Sequence, residues 1–410
     1  MSLYRTFLNS IGWPDTPIGV TDNSSTWGSY STRIPGLPLP TEKTILSVSA
    51  AYACVNLIAG AISSLPVRIY RETPDGQREE AVADDLWWTL NEQFLPRWSA
   101  SNGWEYIAQS LLFHGDSFNV IRRTKKNGRI IGLEPVHPLS VQPVASPDRM
   151  SLLYRAILSD GTAETFAQDD VLHIAGFGFN GFRSVSPLTH VLGTSAGIAM
   201  ATQEYAGRFF TNSARPDVVL STDQAISKAD ADAIKAAWAE NYEGYQNSHR
   251  PAVLGKGFEA KPLNMTAEDA QLLATRQFQI EEIARAFGVP PFMIGHVEKT
   301  TSWGSGVESM GKAFVRFTLR QHLKKIETEI NRKFFRNAGK RVEFDTFELE
   351  SADMKTLFES FRIAVGRAGE PGFMTTDEVR DKLRLKRTPG GDSLSSGQPT
   401  GTSDAPQQAA

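Results

Sequence analysis

The pattern of secondary-structure signals changes abruptly at Ser186. Before this residue, short apolar segments are separated by turn signals such as Asn127-Gly128 and Asp160-Gly161, a pattern typical of short strands joined by hairpins. After it, apolar residues recur every three or four positions, as on the buried face of a helix. Because few helices interrupt the strand-rich part, we predict an α+β fold with a mostly antiparallel sheet.

The same signals give approximate bounds for the elements. We predict strands at 67–71, 117–123, 130–133, 154–158, 171–174, 218–220, 252–254 and 342–349. We predict helices at 49–65, 102–113, 187–212, 266–288 and 307–335, with further helices beginning after Ser227, near Met354 and at Thr375. Ser49 is the predicted cap of the first helix, and Ser186-Pro187 is a cap and first-turn pair.

The predicted helix 307–335 carries an apolar stripe that changes register. Val307, Met310, Phe314 and Phe317 begin the stripe. Leu319, Leu323, Ile326, Ile330 and Phe334 continue it after a small shift. Basic residues lie between them, and we expect most of these to be solvated and paired with Glu327 and Glu329.

Both ends of the chain lack an apolar period. Residues 1–45 contain a stretch rich in Pro, Gly, Ser and Thr, which predicts a flexible arm. Residues 389–410 have almost nothing to bury, which predicts a disordered tail.

Composition excludes several classes of protein. A net charge of −3 and a pI near 6.2 argue against a sequence-specific DNA-binding protein, whose phosphate contacts require clustered Lys and Arg. Cys54, the sole cysteine, permits no intrachain disulfide or thiolate zinc cluster. We recognise no signal peptide at the start of the sequence, and the apolar run 48–65 is too short and polar to span a bilayer. These features predict a soluble protein suited to a reducing cytoplasm.

Two motifs suggest catalysis but lack its structural context. Residues 306–313 (GVESMGKA) fit a phosphate-binding loop except for Ala313, where Ser or Thr should hold Mg²⁺. Residues 193–197 (GTSAG) match a nucleophile elbow, but a predicted helix precedes them instead of a strand. We therefore favour packing roles for both segments and predict no catalytic residue.

Histidine and aspartate spacing also fails to indicate a metal or acid–base site. Neither H-x-x-x-H nor H-E-x-x-H occurs, so we predict no helix-borne zinc site and no cofactor. His173, in an apolar strand-like run, is interpreted as a core histidine with its hydrogen bonds satisfied. Asp169-Asp170 is interpreted as a turn, because adjacent side chains point apart in extended backbone.

The order of several short motifs resembles the Hong Kong 97-type phage portal family. The motifs are SVSAAYACVNLIAGAISSLPVRIYR (47–71), GDSF (115–118), GRIIGLEPVHP (128–138), DDVLHI (169–174), Ser186-Pro187, W-x-x-x-Y-x-G (238–244), FQIEEIARAFGVPPFMIG (278–295) and GFMTTDEVRDKLRL (372–385). Each motif is weak alone, but eight in the same order over residues 45–390 form a strong signal.

This resemblance implies a portal fold with a wing of mixed helix and antiparallel sheet, a helical stem, a small α/β clip and a short helical crown. By position it implies a wing at 46–186 and 307–349, stem helices at 187–214 and 266–288, a clip at 215–265, a tunnel loop at 289–306 and a crown at 350–388. The resemblance further implies a twelve-fold ring at one capsid vertex of the virion, assembled in the host cytoplasm. Its implied partners are the terminase large subunit, the major capsid or scaffold protein, a head–tail adaptor and double-stranded DNA.

The tunnel-like loop is the predicted DNA contact. One positive charge, several hydroxyls and an aromatic ring suit contact with the DNA phosphate backbone that does not depend on base sequence. The residues that carry these groups are Lys299, Thr300, Thr301, Ser302 and Trp303. The predicted clip surface includes Arg250, Lys256 and Lys261. Two other hypotheses stay open at this point: an NTPase using Gly306 to Lys312, and a monomeric adaptor that binds only proteins.

Overall fold

The computed structural model describes residues 37–38, 40–72, 78–211, 218–222, 227–242, 258–262, 267–296, 305–336, 339–350, 354–366, 370–383 and 385–396. The chain divides into a large unit, Met1–Asp345, and a small unit, Thr346–Ala410. Neither unit contains, among its described residues, a helix with the length and apolarity needed to cross a membrane.

The large unit contains helices and short strands in the predicted order. Its helices are α1 Glu42–Ile45, α2 Ser49–Ser64, α3 Asp85–Asn91, α4 Ala100–His114, α5 Pro187–His190, α6 Leu192–Thr211, α7 Lys228–Tyr242, α8 Ala267–Phe287, α9 Ser305–Phe314 and α10 Arg320–Phe334. Its strands are β1 Val67–Glu72, β2 Arg78–Glu80, β3 Gln93–Leu95, β4 Trp98–Ser99, β5 Asp116–Arg123, β6 Ile130–Val136, β7 Val141–Ala145, β8 Leu152–Ile157, β9 Ala163–Ala167, β10 Val171–Ala175, β11 Val218–Thr222, β12 Phe258–Pro262 and β13 Lys340–Phe344.

The strands pair antiparallel, as predicted, but they form several small sheets. Strand β5 lies between β10 and β6, and β8 lies between β7 and β9. Strand β1 lies between β13 and β2, while β11 pairs with β12 and β3 with β4. The sheet divides after β6 because His137 and Pro138 start a 3₁₀ turn, which redirects the chain before β7.

The predicted hairpins form at glycines with left-handed backbone. Gly128, with φ of 68°, lies between β5 and β6, and Gly161, with φ of 83°, lies between β8 and β9. A side chain with a Cβ would be strained at these angles. The turn signals therefore predicted both of these chain reversals.

Helices α2 and α4 contribute much of the buried apolar surface of the large unit. Trp104 of α4 is 2% exposed, its indole N–H donates to the Leu90 carbonyl at 2.8 Å, and its ring meets Phe94 edge-on at 5.0 Å. Cys54 is buried in α2, and burial raises the pKa of its thiol to about 12. Full burial of one large apolar side chain contributes about 1.5–3 kcal/mol, so this layer is a major source of stability.

Two predictions about the start of this layer are wrong. Ser49 is the first residue of α2 and not its cap, which is Val48 and has no capping side chain. The predicted arm 1–45 overlaps helix α1, which a capping box between Thr41 and Thr44 begins. Ile45 is 0% exposed, so burial of its side chain holds this segment against the body. A single buried residue carries no period, which is why the sequence pattern missed it.

The register shift predicted within the long helix corresponds to a π-helical segment, Val315–Leu319, between α9 and α10. A π turn contains more residues than an α turn, so it moves the apolar stripe around the helix. Phe314, Leu319 and Leu323 are buried on either side of the shift. Phe317, predicted to belong to the stripe, is 63% exposed because it lies within the π segment.

The basic residues of this helix divide into two groups. The predicted ion pairs form: Lys324 lies 3.5 Å from Glu327, and Arg332 lies 2.6 Å from Glu329. Lys333 is different, since its side chain is only 4% exposed and its ammonium donates to the Gln168 carbonyl. Burial lowers the pKa of Lys333.

The predicted strand 342–349 is correct only in its first half. Strand β13 ends at Phe344, and Phe347–Glu350 forms a short helix, α11, at the start of the small unit. The pairing of β13 with β1 ends where Phe344 lies opposite Val67. The Asp345 N–H then donates to the Pro66 carbonyl at 2.9 Å, and α11 begins two residues later.

The small unit contains α11, α12 Met354–Val365 and α13 Thr376–Lys382. The predicted capping box at Thr375 and Glu378 begins α13. The predicted tail 389–410 is ordered at its start: the Asp377 N–H donates to the Gly391 carbonyl at 2.8 Å, and the Gly372 N–H to the Ser395 carbonyl at 2.9 Å. These backbone contacts leave no composition signal, so the tail prediction was too long.

Candidate functional site

Most residues of the predicted DNA contact and of the predicted clip surface lie outside the described residues. This holds for Lys299, Thr300, Thr301, Ser302 and Trp303 of the tunnel-like loop, and for Arg250 and Lys256 of the clip-like segment. Lys261 has a described backbone on β12, opposite Val219 of β11. The predicted strand 252–254 also lies outside the described residues. The described structure instead defines the two ends of the loop.

The N-terminal end of the loop is a turn that contacts helix α8. Helix α8 ends at Gly288, whose φ is 68°, as its Gly-Val-Pro-Pro sequence predicts. A 3₁₀ turn, Pro291–Ile294, follows and ends at Gly295, with φ of 84°. His296 Nε2 lies 3.6 Å from Glu281 Oε1 on α8. The segment that leads into residue 297 is therefore held against the end of α8.

The turn also contacts the π segment that follows the loop. The Thr318 hydroxyl donates to the Gly288 carbonyl at 2.6 Å. A Cβ on Gly288 would approach Thr318 Oγ1 at 3.2 Å, so glycine allows both the left-handed turn and the close contact. The end of α8 and the π segment are therefore in contact, although the segment 297–304 separates them in the sequence.

Helices α6 and α8 pack through small and polar side chains. Ala196 of α6 is 0% exposed, and the Ser195 hydroxyl donates to Glu282 Oε2 of α8 at 3.0 Å. A Cβ on Gly197 would lie 3.0 Å from the Pro38 carbonyl oxygen. The small residues at 193–201 thus permit close packing, as the sequence predicted.

Neither catalytic motif has catalytic geometry. Ser195 lies inside α6, so no strand-to-helix elbow presents it, and its partner is a carboxylate of the packing helix. Residues 306–312 lie inside α9, which begins at Ser305. A phosphate-binding loop instead requires non-helical backbone whose N–H groups surround the phosphates. The structure therefore argues against the NTPase hypothesis.

A buried polar cluster joins three of the motifs found in the sequence. Asp116 Oδ1 accepts from the Ser184 hydroxyl at 2.7 Å and from His173 Nε2 at 3.2 Å, and Oδ2 accepts from the Ser184 N–H at 3.0 Å. The Tyr154 hydroxyl then lies 3.1 Å from His173 Nδ1. His173 is 6% exposed, so the prediction of a satisfied core histidine is confirmed.

Gly115 and Gly176 allow the backbone to approach this cluster. The Gly176 N–H donates to the Gly115 carbonyl at 2.7 Å, and a Cβ on Gly115 would lie 2.2 Å from the Val185 carbonyl oxygen. Ser186 caps α5 and also donates through its hydroxyl to the Phe113 carbonyl at 2.9 Å. The GDSF, DDVLHI and Ser-Pro motifs therefore meet at one structural junction.

A second cluster was missed by the search for metal-ligand spacing. Glu42 on α1, His114 at the end of α4 and His137 after β6 place ligand atoms within 4.8 Å of one another. Burial opposes ionisation of Glu42, but the hydrogen bond from His114 and the nearby imidazoles lower its pKa. Burial lowers the pKa of His114. The three residues come from separate elements, so no spacing pattern connects them.

Comparisons with known proteins agree with the motif order. The model of the family described as "Phage portal protein" matches residues 49–383. The "Probable portal protein" of Streptomyces phage phiC31 is 33% identical over 86% of this chain and 77% of that protein. The "Portal protein" of Enterobacteria phage HK97 is 29% identical over 86% of this chain and 82% of that protein.

Solved structures show the same fold. The chain matches a component of the neck of a native gene transfer agent particle, computed with C12 symmetry. The TM-score is 0.62 at 17% identity, over 94% of this chain and 99% of that one. It also matches an HK97-family phage portal protein from Corynebacterium diphtheriae, with a TM-score of 0.52 at 18% identity over 78% and 99% of the two chains. With a family model covering most of its length and these relatives, the chain belongs to the phage portal protein family, and is of the Hong Kong 97 type.

Proposed function

We propose that twelve copies of this chain form a closed ring at one vertex of a phage capsid, through which DNA is packaged and later ejected. The observation that carries this proposal is the likeness, over 94% of the chain, to a component of a particle neck computed with C12 symmetry. A ring with one interface repeated around an axis closes on itself and limits its own size.

The surface of the helix pair α6–α8 is suited to contact with an adjacent subunit of the ring. Tyr205 on α6 is 53% exposed, and Phe278 on α8 is 51% exposed. Each helix of the packed pair thus exposes a large apolar side chain that a neighbouring subunit could cover. Gln279, beside Phe278, is 6% exposed, yet its Oε1 has no hydrogen-bond partner among the described residues. An adjacent subunit would cover the apolar groups and supply a donor.

We assign the parts of the ring by position in the sequence. Residues 46–186 and 307–349 form the wing, 187–214 and 266–288 the stem, 215–265 the clip and 350–388 the crown. We place terminase and adaptor contacts on the clip, with Arg250, Lys256 and Lys261 as candidate residues. The capsid or scaffold protein would contact the wing.

The tunnel loop, residues 289–306, is the proposed DNA contact. Its described N-terminal end contacts helix α8 through His296 and Glu281, which would fix the loop's position relative to the stem. Twelve copies of Lys299 would form a collar of positive charge in a ring that is acidic overall, with −3 per chain. Such a balance favours loose, sequence-independent contact, because tight phosphate pairing would stop DNA from moving.

Ring formation is tested by the mass of the purified full chain in solution. We expect light scattering to give a closed oligomer near twelve subunits and electron micrographs to show rings with a central hole. Stable monomers at micromolar concentration would overturn the proposal and favour the adaptor hypothesis.

DNA contact is tested separately, so that its failure leaves ring formation intact. Lys299→Glu combined with a shortened 297–304 segment should allow ring assembly but reduce packaged DNA per particle. Lys125→Glu, an exposed lysine in the β5–β6 turn, is the matched charge reversal and should package normally. Normal DNA content in the loop variant would move the channel assignment to another segment.

A further inference from the structure

The cluster of Glu42, His114 and His137 brings two imidazoles to one carboxylate. His137 Nε2 lies 3.0 Å from Glu42 Oε1, and His114 Nε2 hydrogen-bonds to the same oxygen. The two imidazole rings meet edge to face, with centroids 5.3 Å apart. Three potential ligand atoms, two nitrogens and one oxygen, therefore converge on a single point.

We propose that these three side chains bind one Zn²⁺ or a similar divalent transition metal. Two histidines and one glutamate make a recognised three-residue zinc set, in which water occupies a further position. Imidazole nitrogen suits Zn²⁺ better than it suits Mg²⁺ or Ca²⁺, which prefer oxygen. Glu42 is 39% exposed, so the remaining coordination position is open to solvent.

Each ligand is held by the local structure of its own element. The Thr41–Thr44 capping box fixes the first turn of α1, which carries Glu42. His114 is 8% exposed at the end of α4, where Gly115 caps the helix with left-handed backbone. His137 precedes Pro138 and begins the 3₁₀ turn. A site formed by restrained side chains loses less conformational freedom on binding.

One hydrogen bond must be exchanged when the metal binds. The Leu139 N–H donates to His137 Nδ1 at 3.2 Å, so the neutral ring carries its proton on Nε2, facing Glu42. The metal would displace that proton, and the ring would give up the bond from Leu139 to protonate Nδ1. The nearby positive charge of Arg183 also opposes a cation. Loss of the hydrogen bond from Leu139 and repulsion by Arg183 both weaken metal binding, so we expect moderate affinity and a readily removable metal.

Metal binding would join helix α1 to the rest of the large unit. Glu42 precedes α2 in the sequence, while His114 and His137 flank strands β5 and β6. A metal bound to all three would cross-link the α1 segment to α4 and to the turn after β6. We therefore expect a structural role for the metal, seen as added resistance to unfolding.

The test uses the untagged full-length chain after treatment with EDTA and dialysis. Isothermal titration with Zn²⁺ should give one site per chain, and Co²⁺ should give visible absorption bands typical of nitrogen and oxygen coordination. Zn²⁺ should also raise the melting temperature of the wild-type chain. Each of Glu42→Gln, His114→Gln and His137→Asn should weaken binding at least tenfold.

His190→Gln is the matched control, because His190 also lies at a helix end but outside the cluster. It should bind Zn²⁺ like the wild-type chain. Absence of Zn²⁺ binding by the folded wild-type chain would overturn the proposal and leave a hydrogen-bonded cluster only. Unchanged affinity in all three cluster variants would overturn it too. Because the Co²⁺ spectrum is measured on the wild-type chain, a variant that fails to fold does not weaken the test.

Discussion

The junction around Asp116 and the helix pair α6–α8 differ in how their buried polar atoms are hydrogen-bonded. The Asp116 carboxylate is 0% exposed and accepts hydrogen bonds from Ser184 and His173 within the same chain. On the helix pair, Gln279 Oε1 is buried and has no hydrogen-bond partner in the described part of the chain, while Tyr205 and Phe278 are exposed. The junction is thus built within one chain, whereas the helix pair is suited to completion by a neighbour. Substitutions at the junction should therefore lower the stability of one chain, whereas substitutions on the helix pair should impair assembly.

Asp116→Ala should have the largest effect on the stability of a single chain. The change leaves the Ser184 N–H and hydroxyl and His173 Nε2 without their acceptor in a buried site, which costs about 3 kcal/mol. Denaturant unfolding of the monomeric fraction measures the change. Asp170→Ala, whose carboxylate is 47% exposed and lies 3.5 Å from Arg123, should cost less than about 0.5 kcal/mol. Equal losses in the two variants would contradict the assignment of Asp116 as the centre of the junction.

Gly115→Ala should be the next most damaging change. Its φ of 78° strains any residue with a Cβ, and that atom would lie 2.2 Å from the Val185 carbonyl oxygen. Gly161→Ala has a similar φ of 83° but nothing within 4 Å of the added Cβ. We expect about 1 kcal/mol for Gly161→Ala from backbone strain alone, and about 1 kcal/mol more for Gly115→Ala. Similar unfolding free energies for both variants would show that the backbone near Gly115 shifts away from the added Cβ at little cost in stability.

Phe278→Ser should affect assembly much more than the stability of one chain. The side chain is 51% exposed, so its loss should change monomer unfolding by less than about 0.5 kcal/mol. The same change should reduce the yield of rings at a fixed protein concentration, measured by light scattering. Phe373→Ser, at a residue 73% exposed in the small unit, serves as the control and should assemble normally. Normal ring yield in Phe278→Ser would mean that this side chain is not part of a subunit interface.

Local patterns predicted most of the elements, and the motif order predicted the family. The Ser186-Pro187 cap, the two glycine turns and the Thr375 capping box are short-range signals, so a single sequence reveals them. The shift in the long apolar stripe was visible too, although its cause, the π segment, was not.

What the sequence did not reveal depends on contacts between distant residues. Glu42, His114 and His137 meet only after α1, α4 and β6 have packed together. Lys333 looks like one more solvated lysine until its contact with the Gln168 carbonyl is known. The order at the start of the tail likewise depends on backbone bonds from Asp377 and Gly372. Tertiary contacts of this kind leave no periodic pattern.

The buried thiol of Cys54 gives a chemical test of how tightly the α2 layer is closed. With its pKa raised to about 12 by burial, the thiol stays protonated at pH 8, and the reactive thiolate is nearly absent. We expect a thiol reagent such as Ellman's reagent to react fully in urea but by less than a tenth over the same time in the native chain. Rapid reaction in the native chain would show that α2 opens locally and exposes the thiol.

His322 should give the smallest effect, a change of stability with pH on helix α10. Burial, with a smaller contribution from the charge of Lys325, lowers the pKa of its imidazole to about 4. The unfolded chain therefore binds a proton near pH 6.5 that the folded chain does not accept until pH 4. The stability present above pH 6.5 is lost as the pH falls through this window, by about 1 kcal/mol between pH 7.5 and about pH 5.8. His322→Gln should flatten this part of the stability profile, measured by denaturant unfolding at several pH values. Gln321→Ala, an exposed neighbour on the same helix, should keep the wild-type slope. If His322→Gln also keeps that slope, another group carries the pH dependence and the environment of His322 is open to water.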